Sequence, residues 1–312
     1  MNDSVPATTV HVPVLLEGVM QQLGELKDKK LIDGTLGGGG YTTAFLHGGA
    51  SVMAFDQDAV AIERAQKTIL PQHKKSLILV HNSFAHMAEE AVAHGWEKVD
   101  GIALDLGISS DQLDTPDRGF TYQQNGVLDM RLGQTGRTAA DVLNRSDERE
   151  LADIFYYFGD EPKSRPLARA IVQTRKTQPF QTTSDLLKVI EQIYPPRVWL
   201  KRKHPAQRLF QAVRMAVNNE VDALAAVIPQ AASLLAEGGK LCIVTFHSIE
   251  DRMVKQAYRE LCQPVLDGVG RQIAEGDYFM PVRKVVPTDA EVAANPRARS
   301  GTLRVLQRRV TS

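Results

Sequence analysis

The chain has 312 residues, of which 43% are hydrophobic and 24% are charged. This composition is typical of a soluble globular protein, and the length allows one α/β domain with a sizeable insertion. The sequence has no apolar run of about 18 residues, which predicts no membrane span, and its first ten residues lack a secretion-signal pattern. The cysteines, Cys242 and Cys262, lie in apolar patterns and are expected to be buried thiols of a cytoplasmic protein.

The charges are balanced at 37 basic and 37 acidic residues, but they are unevenly distributed. Residues 101–162 contain 5 Lys or Arg against 12 Asp or Glu, whereas residues 163–214 contain 12 against 2. One concentrated basic segment in a neutral protein predicts local binding of a polyanion. Tyr194, Trp199 and Phe210 in that segment favour nucleic acid as the partner.

The first third of the chain alternates strand and helix patterns, which predicts a parallel sheet with right-handed crossovers. A leading helix is expected over 15–23, with Pro13 near its first turn. The predicted strands are 31–33, 51–55, 77–81 and 101–105, and the predicted helices between them are 42–46, 59–70 and 84–94.

The strand pattern then stops for about 130 residues. Residues 114–136 are typical of a long ordered loop, and from 139 to about 217 the apolar spacing is helical with several prolines as breaks. Afterwards we expect a helix over 221–236 that stops at Gly238 and Gly239, and a buried strand over 240–246. A helix over 250–262 capped by Ser248 should follow, and then β-like stretches over 278–286 and 302–310. The chain is therefore predicted to be an α/β domain, 1–113 and 217–312, with a helical insertion over 114–216.

The first predicted strand runs into four consecutive glycines, residues 37–40, and then into a helix. Such a turn permits positive φ and lets a ligand lie against bare backbone at the carboxyl end of a strand. Neither the G-x-G-x-x-G dinucleotide spacing nor a phosphate-loop Lys is present. A ligand with a sugar but no phosphate, such as S-adenosylmethionine, fits this turn better.

Three residues at later strand ends are candidates for the same ligand. Asp56, about twenty residues past the glycines, is suited to accept ribose hydroxyl protons, although a surface turn also begins with Asp. Phe84 is placed either to stack on an adenine ring or to fill the core. Asp105 could assist methyl transfer to an exocyclic amine by accepting an N–H bond, or could simply bind the cofactor. The histidines show no metal spacing apart from His247 near Glu250 and Asp251, so we expect no metal.

Seven separated blocks resemble the RsmH/MraW family of bacterial 16S rRNA (cytosine-N4)-methyltransferases over about 11–308. Their order is that of the family, which makes the resemblance very specific. The blocks are Asp33-Gly34-Thr35 with Gly37–Tyr41, Asp105–Ser110 with Gln112-Leu113-Asp114, Arg118-Gly119-Phe120, Leu128-Asp129-Met130-Arg131, His204-Pro205-Ala206 with Phe210-Gln211-Ala212, Phe246-His247-Ser248 with Glu250-Asp251-Arg252, and 295–300.

The resemblance implies a class I, Rossmann-like S-adenosylmethionine-dependent methyltransferase domain interrupted by a helical substrate domain. It implies methylation of N4 of a decoding-site cytosine in 16S rRNA of the small ribosomal subunit, by a cytoplasmic monomer or homodimer. The cofactor contacts that carry over from the family are Gly39, Gly40, Tyr41, Asp56, Phe84, Asp105 and Gln112.

This chain differs from related sequences at two places that bear on these contacts. Many relatives have His where this chain has Tyr41, which matters only if the side chain makes the contact. Amino-methyltransferases often have Pro-Pro-aromatic after the fourth strand, where this chain has Leu106-Gly107-Ile108 after Asp105.

The basic insertion supplies the expected RNA contacts. The target base must leave its stack, so we also expect an aromatic platform, for which Phe120, Phe246 and Trp199 are candidates. An NAD-dependent oxidoreductase is disfavoured because the third glycine of the G-x-G-x-x-G spacing is missing. An RNA-binding assembly factor without catalytic activity is disfavoured because the glycine turn, Asp56 and Asp105 are all present. The predicted phosphate contacts are Lys201, Arg202, Lys203, His204, Arg208 and Arg214.

Overall fold

The computed structural model describes residues 13–195 and 204–311, which divide into two compact units. One unit contains residues 13–107 and 225–311, and the other contains residues 108–195 and 204–224. The helical unit therefore spans residues 108–224, whereas the sequence predicted an insertion over 114–216. In the part of the chain that is described, no helix is both long and apolar enough to cross a membrane.

The first unit is built on a seven-stranded sheet with the order β3-β2-β1-β4-β5-β9-β8. Strands β1 to β5 are parallel to one another, and β9 is antiparallel to both of its neighbours. This strand order, with its antiparallel β9, is that of the class I methyltransferase fold and confirms the predicted α/β class. The strands are β1 (Lys30–Asp33), β2 (Ser51–Asp56), β3 (Leu77–His81), β4 (Val99–Asp105), β5 (Leu235–Thr245), β8 (Tyr278–Phe279) and β9 (Thr302–Arg308), and β6 (Val265–Leu266) pairs with β7 (Gln272–Ala274) in a separate hairpin.

Side chains on β1, β2 and β4 are buried on both faces of the sheet, which explains their continuous apolar runs. Ile32, Met53, Phe55 and Ile102 have no exposed surface. The helices of this unit are α1 (Leu16–Leu23), α2 (Gly40–His47), α3 (Ala59–Thr68), α4 (Met87–Ala93), α12 (Ser248–Leu261) and α13 (Asp289–Ala294).

The second unit is helical, as the apolar spacing predicts. Its core includes Phe155, Leu167 and Ile171, and it also buries Tyr194 and Phe210. The burial of these last two rings speaks against the nucleic-acid role expected of them. The helices are α5 (Ser110–Asp114), α6 (Ala139–Arg145), α7 (Glu148–Gly159), α8 (Ser164–Thr174), α9 (Thr183–Ile193), α10 (Ala206–Val217) and the first part of α11 (Glu220–Leu234), whose remainder belongs to the first unit.

Several predicted boundaries around β5 are wrong. The strand that was expected over 240–246 begins earlier, at Leu235. Gly238, with φ 76°, and Gly239 were expected to end the preceding helix, but they lie in an irregular stretch within the strand. The strand expected over 278–286 is reduced to β8 and one bridge between Val285 and Leu303. Pro281 has no N–H to continue the ladder.

The cap of α12 also differs from the prediction. Nδ1 of His247, not the hydroxyl of Ser248, accepts a hydrogen bond from the backbone N–H of Glu250, at 3.4 Å. The helix therefore begins at Ser248, two residues earlier than expected. Of the two cysteines, Cys242 is buried in β5 but Cys262 is only half-buried, and neither forms a disulfide.

Gly34, directly after β1, lies where a larger residue does not fit. A Cβ atom there would lie 2.1 Å from Cδ2 of Leu104 and 3.1 Å from Cε of Met87. Gly34→Ala should therefore lower the free energy of unfolding by roughly 1–3 kcal/mol, measured by urea denaturation. Gly38→Ala is the matched control, since nothing lies within 4 Å of its Cβ position, and it should change stability by less than about 1 kcal/mol. Equal effects of the two substitutions would contradict this packing.

Candidate functional site

Three carboxylates meet at the carboxyl edge of the parallel sheet. Asp33, Asp56 and Asp105 end β1, β2 and β4, which are neighbours with aligned registers. The strand order reverses between β1 and β4, and ligands of open α/β sheets bind in the crevice at such a point.

Asp33 is a buried acid that holds the glycine turn in place. It has no exposed surface, and its carboxylate accepts hydrogen bonds from the N–H of Thr35, at 3.1 Å, and the hydroxyl of Thr42, at 2.7 Å. These two donors lie on either side of the glycines, so one buried group holds both ends of the turn. Burial raises the pKa of Asp33 to about 6, against the partial compensation of these hydrogen bonds. Its sequence position predicts no specific role for Asp33, although Asp33 begins the first family block.

The glycine turn itself is tight on one side and open on another. Gly37 and Gly39 have φ of 48° and 82°. A Cβ on Gly39 would lie 2.4 Å from Cδ1 of Ile69, whereas one on Gly38 would meet nothing. The open side leaves backbone accessible to a ligand.

Asp56 is attached to the turn. One carboxylate oxygen accepts the N–H of Gly37, and the other accepts the N–H of Asp58, both at 2.8 Å. Burial raises the pKa of Asp56, and the two backbone donors oppose this. The two N–H bonds fix the carboxylate in one orientation, and its remaining lone pairs can accept ribose hydroxyl protons.

Asp105 has an unsatisfied atom. Its Oδ1 is shielded from solvent and has no hydrogen-bond partner among the described residues. Burial, followed by repulsion from Asp33 and Glu250, raises the pKa of Asp105 well above its usual range. Its backbone N–H donates to the hydroxyl of Thr35 at 2.7 Å, which ties the end of β4 to the turn. A shielded acceptor without a donor is costly, so this atom is suited to a ligand N–H.

Glu250 is a further buried acid near this edge. Its carboxylate accepts the N–H of Phe246 at 2.8 Å and lies 2.9 Å from Nε2 of His247. His247 and Glu250 thus belong to the cap of α12, within one helical turn. Within residues 13–195 and 204–311, no group of three or more His, Cys, Asp or Glu residues is arranged to hold a metal.

The side chain of Tyr41 is bonded within the protein. Its ring is buried, and its hydroxyl donates to the carbonyl of Val14. The adjacent Pro13 lies against the turn, where a Cβ on Gly40 would be 2.2 Å from its Cγ. The side chain at this position therefore anchors the segment that precedes α1.

The two remaining predicted cofactor residues lie in different units. Phe84 is half-buried in a short 3₁₀ turn, and its Cβ lies 3.5 Å from the Cβ position of Gly34. Its ring is therefore near the crevice and partly open. Gln112 belongs to the helical unit, where its side chain accepts the N–H of Ser109 in a capping box of α5.

Two of the predicted phosphate contacts in the helical unit, Arg214 and His204, are engaged with other side chains. Arg214 forms a two-point ion pair with Glu220, at 2.8 and 2.7 Å, and is 12% exposed, which speaks against a phosphate contact. His204 stacks on Tyr122, and burial lowers its pKa, so its ring is not suited to act as a cation.

Arg208 is 45% exposed but is paired with the buried carboxylate of Glu161, at 2.8 Å. Lys201, Arg202 and Lys203 lie outside the described residues, as does Trp199. Of the other candidate platforms, Phe120 is buried in the helical core and Phe246 is half-buried.

Sequence reasoning did not single out the exposed aromatic pair on α7. Tyr156 and Tyr157 are 56% and 63% exposed, and their rings are 5.1 Å apart with nearly perpendicular planes. The sequence shows four consecutive aromatics at residues 155–158, but such a run also fits a core helix.

The sequence matches the family described as the MraW methylase family over residues 8–309. It is similar to the ribosomal RNA small subunit methyltransferase H of Deinococcus radiodurans, with 42% identity over 98% of this chain and 92% of the relative. It is equally similar to the enzyme of that name from Rhodospirillum centenum, with 42% identity over 98% of this chain and 94% of the relative.

Among solved structures, an rRNA methylase from Streptococcus thermophilus has a TM-score of 0.43 and 12% identity over 93% of each chain. A TM-score this low does not establish a common fold, so the fold assignment rests on the strand order.

The raised pKa of Asp33 makes stability depend on pH. The folded chain holds this proton more tightly than the unfolded chain, whose value is near 3.8, so stability should fall as pH rises towards about 6. Asp33→Asn should remove a component on the order of 3 kcal/mol from this fall, measured as urea midpoints between about pH 4 and about pH 7. The exposed Asp289→Asn is the control and should keep the wild-type profile. An unchanged profile in Asp33→Asn would contradict the assignment.

Proposed function

The chain belongs to the MraW methylase family, and we propose that it methylates 16S rRNA of the small ribosomal subunit with S-adenosylmethionine as donor. The acceptor that we propose is the exocyclic N4 amine of a decoding-site cytosine. The methylation of small subunit rRNA is supported by the relatives, which are named as small subunit rRNA methyltransferases. The choice of the cytosine N4 amine as acceptor rests on the resemblance of the seven sequence blocks and on the shielded, unsatisfied carboxylate oxygen of Asp105.

The residues around the glycine turn fit the donor. The bound donor supplies an activated methyl group on a positively charged sulfonium. Three acids at the crevice edge favour a cation and disfavour a phosphate-bearing cofactor. Asp56 is oriented to accept the ribose hydroxyl protons, and the open side of Gly38 lets the ligand lie against backbone. Phe84, half-buried beside Gly34, is the proposed stacking partner of the adenine.

Gly39, Gly40, Tyr41 and Gln112 complete the proposed cofactor contacts. For Tyr41 we assign the contact to the backbone N–H, because the hydroxyl is bonded to Val14. The first N–H groups of a helix have no partner within the helix, and α2 begins at Gly40. The replacement of the usual His by Tyr41 then leaves the donor contact intact and changes only how residues 13–15 are anchored.

Asp105 is the proposed catalytic residue. The lone pair of the cytosine amine is conjugated with the ring, and positive charge develops on N4 as the methyl group is transferred. Oδ1 of Asp105 accepts an N–H of this amine, which stabilises that charge and receives the proton that N4 must lose. The raised pKa of Asp105 makes it a stronger proton acceptor than an ordinary aspartate. The carbonyl groups of a Pro-Pro-aromatic segment are not needed for this step.

The helical unit is the proposed RNA-binding region, with Lys201, Arg202, Lys203 and Arg208 as phosphate contacts. Arg208 can exchange Glu161 for a phosphate, since nearly half of its side chain is exposed. The substrate places the proposed reaction in the bacterial cytoplasm.

The proposed function is tested on small subunits that lack the modification. Purified protein is incubated with these subunits and methyl-labelled donor, and the 16S rRNA is digested to nucleosides for mass spectrometry. We expect label in N4-methylcytidine alone. Label in another nucleoside would contradict the proposed acceptor, and absence of label would favour an assembly factor without chemistry.

Asp105→Asn separates catalysis from donor binding, since it keeps the shape of the side chain. We expect kcat to fall by about 10²–10⁴, with the Kd for S-adenosylmethionine, measured by titration calorimetry, within a factor of about three of wild type. An unchanged kcat with a raised Kd would instead assign Asp105 to cofactor binding alone.

A further inference from the structure

A cleft of about 590 Å³ lies in the first unit, beside α12 and outside the crevice of the glycine turn. One wall is the helix, which contributes Asp251, Lys255 and Arg259 at four-residue spacing and therefore from one face. The other wall is residues 280–284, which contribute Arg283 and Lys284. Arg304 of β9 completes it, and the rest of the lining is apolar.

The base of the cleft is fixed and electrically neutral. Arg304 is buried and binds the carboxylate of Asp251 at two points, 2.6 and 2.9 Å. The same guanidinium donates to the backbone carbonyl of Arg283, at 3.1 Å. One ion pair therefore joins the helix, the strand and the opposite wall, so the cleft is held open by the fold.

Four cations then remain without a counter-charge. Lys255, Arg259, Arg283 and Lys284 make no ion pair or side-chain hydrogen bond with any other residue that the structure describes. The acids of α12 are engaged elsewhere. Glu250 accepts the N–H of Phe246, Asp251 binds Arg304, and Glu260 accepts a hydrogen bond from Gln256.

The chemistry of this cleft matches phosphate groups in a chain. A rise of 1.5 Å per residue places the helix positions of Lys255 and Arg259 about 6 Å apart along the axis, so the cations form a row instead of a single point. The four cations include two arginines, which bind phosphate through paired N–H groups. Lys255 and Arg259 lie about 10 and 16 Å along the axis from the start of α12. This helix starts directly after β5, at the sheet edge that holds the crevice.

We propose that this cleft binds backbone phosphates of the substrate RNA next to the nucleotide whose base enters the crevice. This inference rests on the proposed function, because it takes its polyanion from it. The cleft supplies a second RNA contact, on the methyltransferase unit itself, in addition to the basic segment of the helical unit.

The test compares two double variants with equal loss of charge. Arg259→Gln with Arg283→Gln removes two cations of the cleft. Lys74→Gln with Lys75→Gln, two exposed lysines before β3, is the matched control in the same unit. Binding to 16S rRNA in small subunits is measured across a salt series, with the Kd for S-adenosylmethionine and the thermal midpoint as checks that each variant is folded.

Loss of two phosphate contacts should reduce the slope of log affinity against log salt by about 1.4 to 1.8. Between about 50 and about 200 mM salt, the cleft variant should therefore lose roughly tenfold less affinity than wild type. The control should keep the wild-type slope, and all three proteins should bind the donor equally.

A wild-type slope in the cleft variant, with wild-type protein binding and methylating small subunits, would overturn the cleft proposal alone. A wild-type protein that neither binds nor methylates them would overturn the proposed function, and the cleft proposal with it. Binding of phosphatidylglycerol vesicles that depends on Arg259 and Arg283, with unchanged RNA binding, would replace RNA by a membrane surface.

Discussion

The crowding of buried carboxylates at one edge of the sheet is the constraint on which the rest of the first unit depends. Asp33, Asp56 and Asp105 end neighbouring parallel strands, and burial raises the pKa of each. The first two are compensated by N–H and hydroxyl donors from the glycine turn and its helix. Asp105 has a shielded oxygen without such a donor. The turn is therefore held by its acids, and the remaining acid is available to a ligand.

The first unit thus has two candidate sites of opposite charge. The acidic crevice suits a cationic donor without phosphates, whereas the cleft beside α12 has four cations without counter-charges and suits a polyanion. Such a division is expected of an enzyme that must bind a small cation and a nucleic acid together. It is also compatible with the proposed RNA substrate, because a chain with 37 basic and 37 acidic residues has no large net charge to attract a polyanion.

The sequence was most informative where structure follows from local patterns. The first four strands and the helices between them were predicted to within a few residues, because buried parallel strands are continuous apolar runs and Gly37 to Gly40 mark one turn. The roles of Arg214 and His204 were not predictable, since their partners Glu220 and Tyr122 are selected by helical packing. Charge density alone does not distinguish an exposed cation from an internal ion pair. The hydroxyl of Tyr41 reaches Val14, a contact 27 residues away that no motif encodes.

The proposed function requires that the crowded crevice bind a donor that is cationic and has no phosphate. Equilibrium titration of the wild-type protein with S-adenosylmethionine and, separately, with NAD tests this claim most directly. S-adenosylmethionine should bind at a single site and NAD should not bind measurably, because the diphosphate of NAD would lie beside Asp56 and Asp105. Tight binding of NAD without binding of S-adenosylmethionine would contradict the claim.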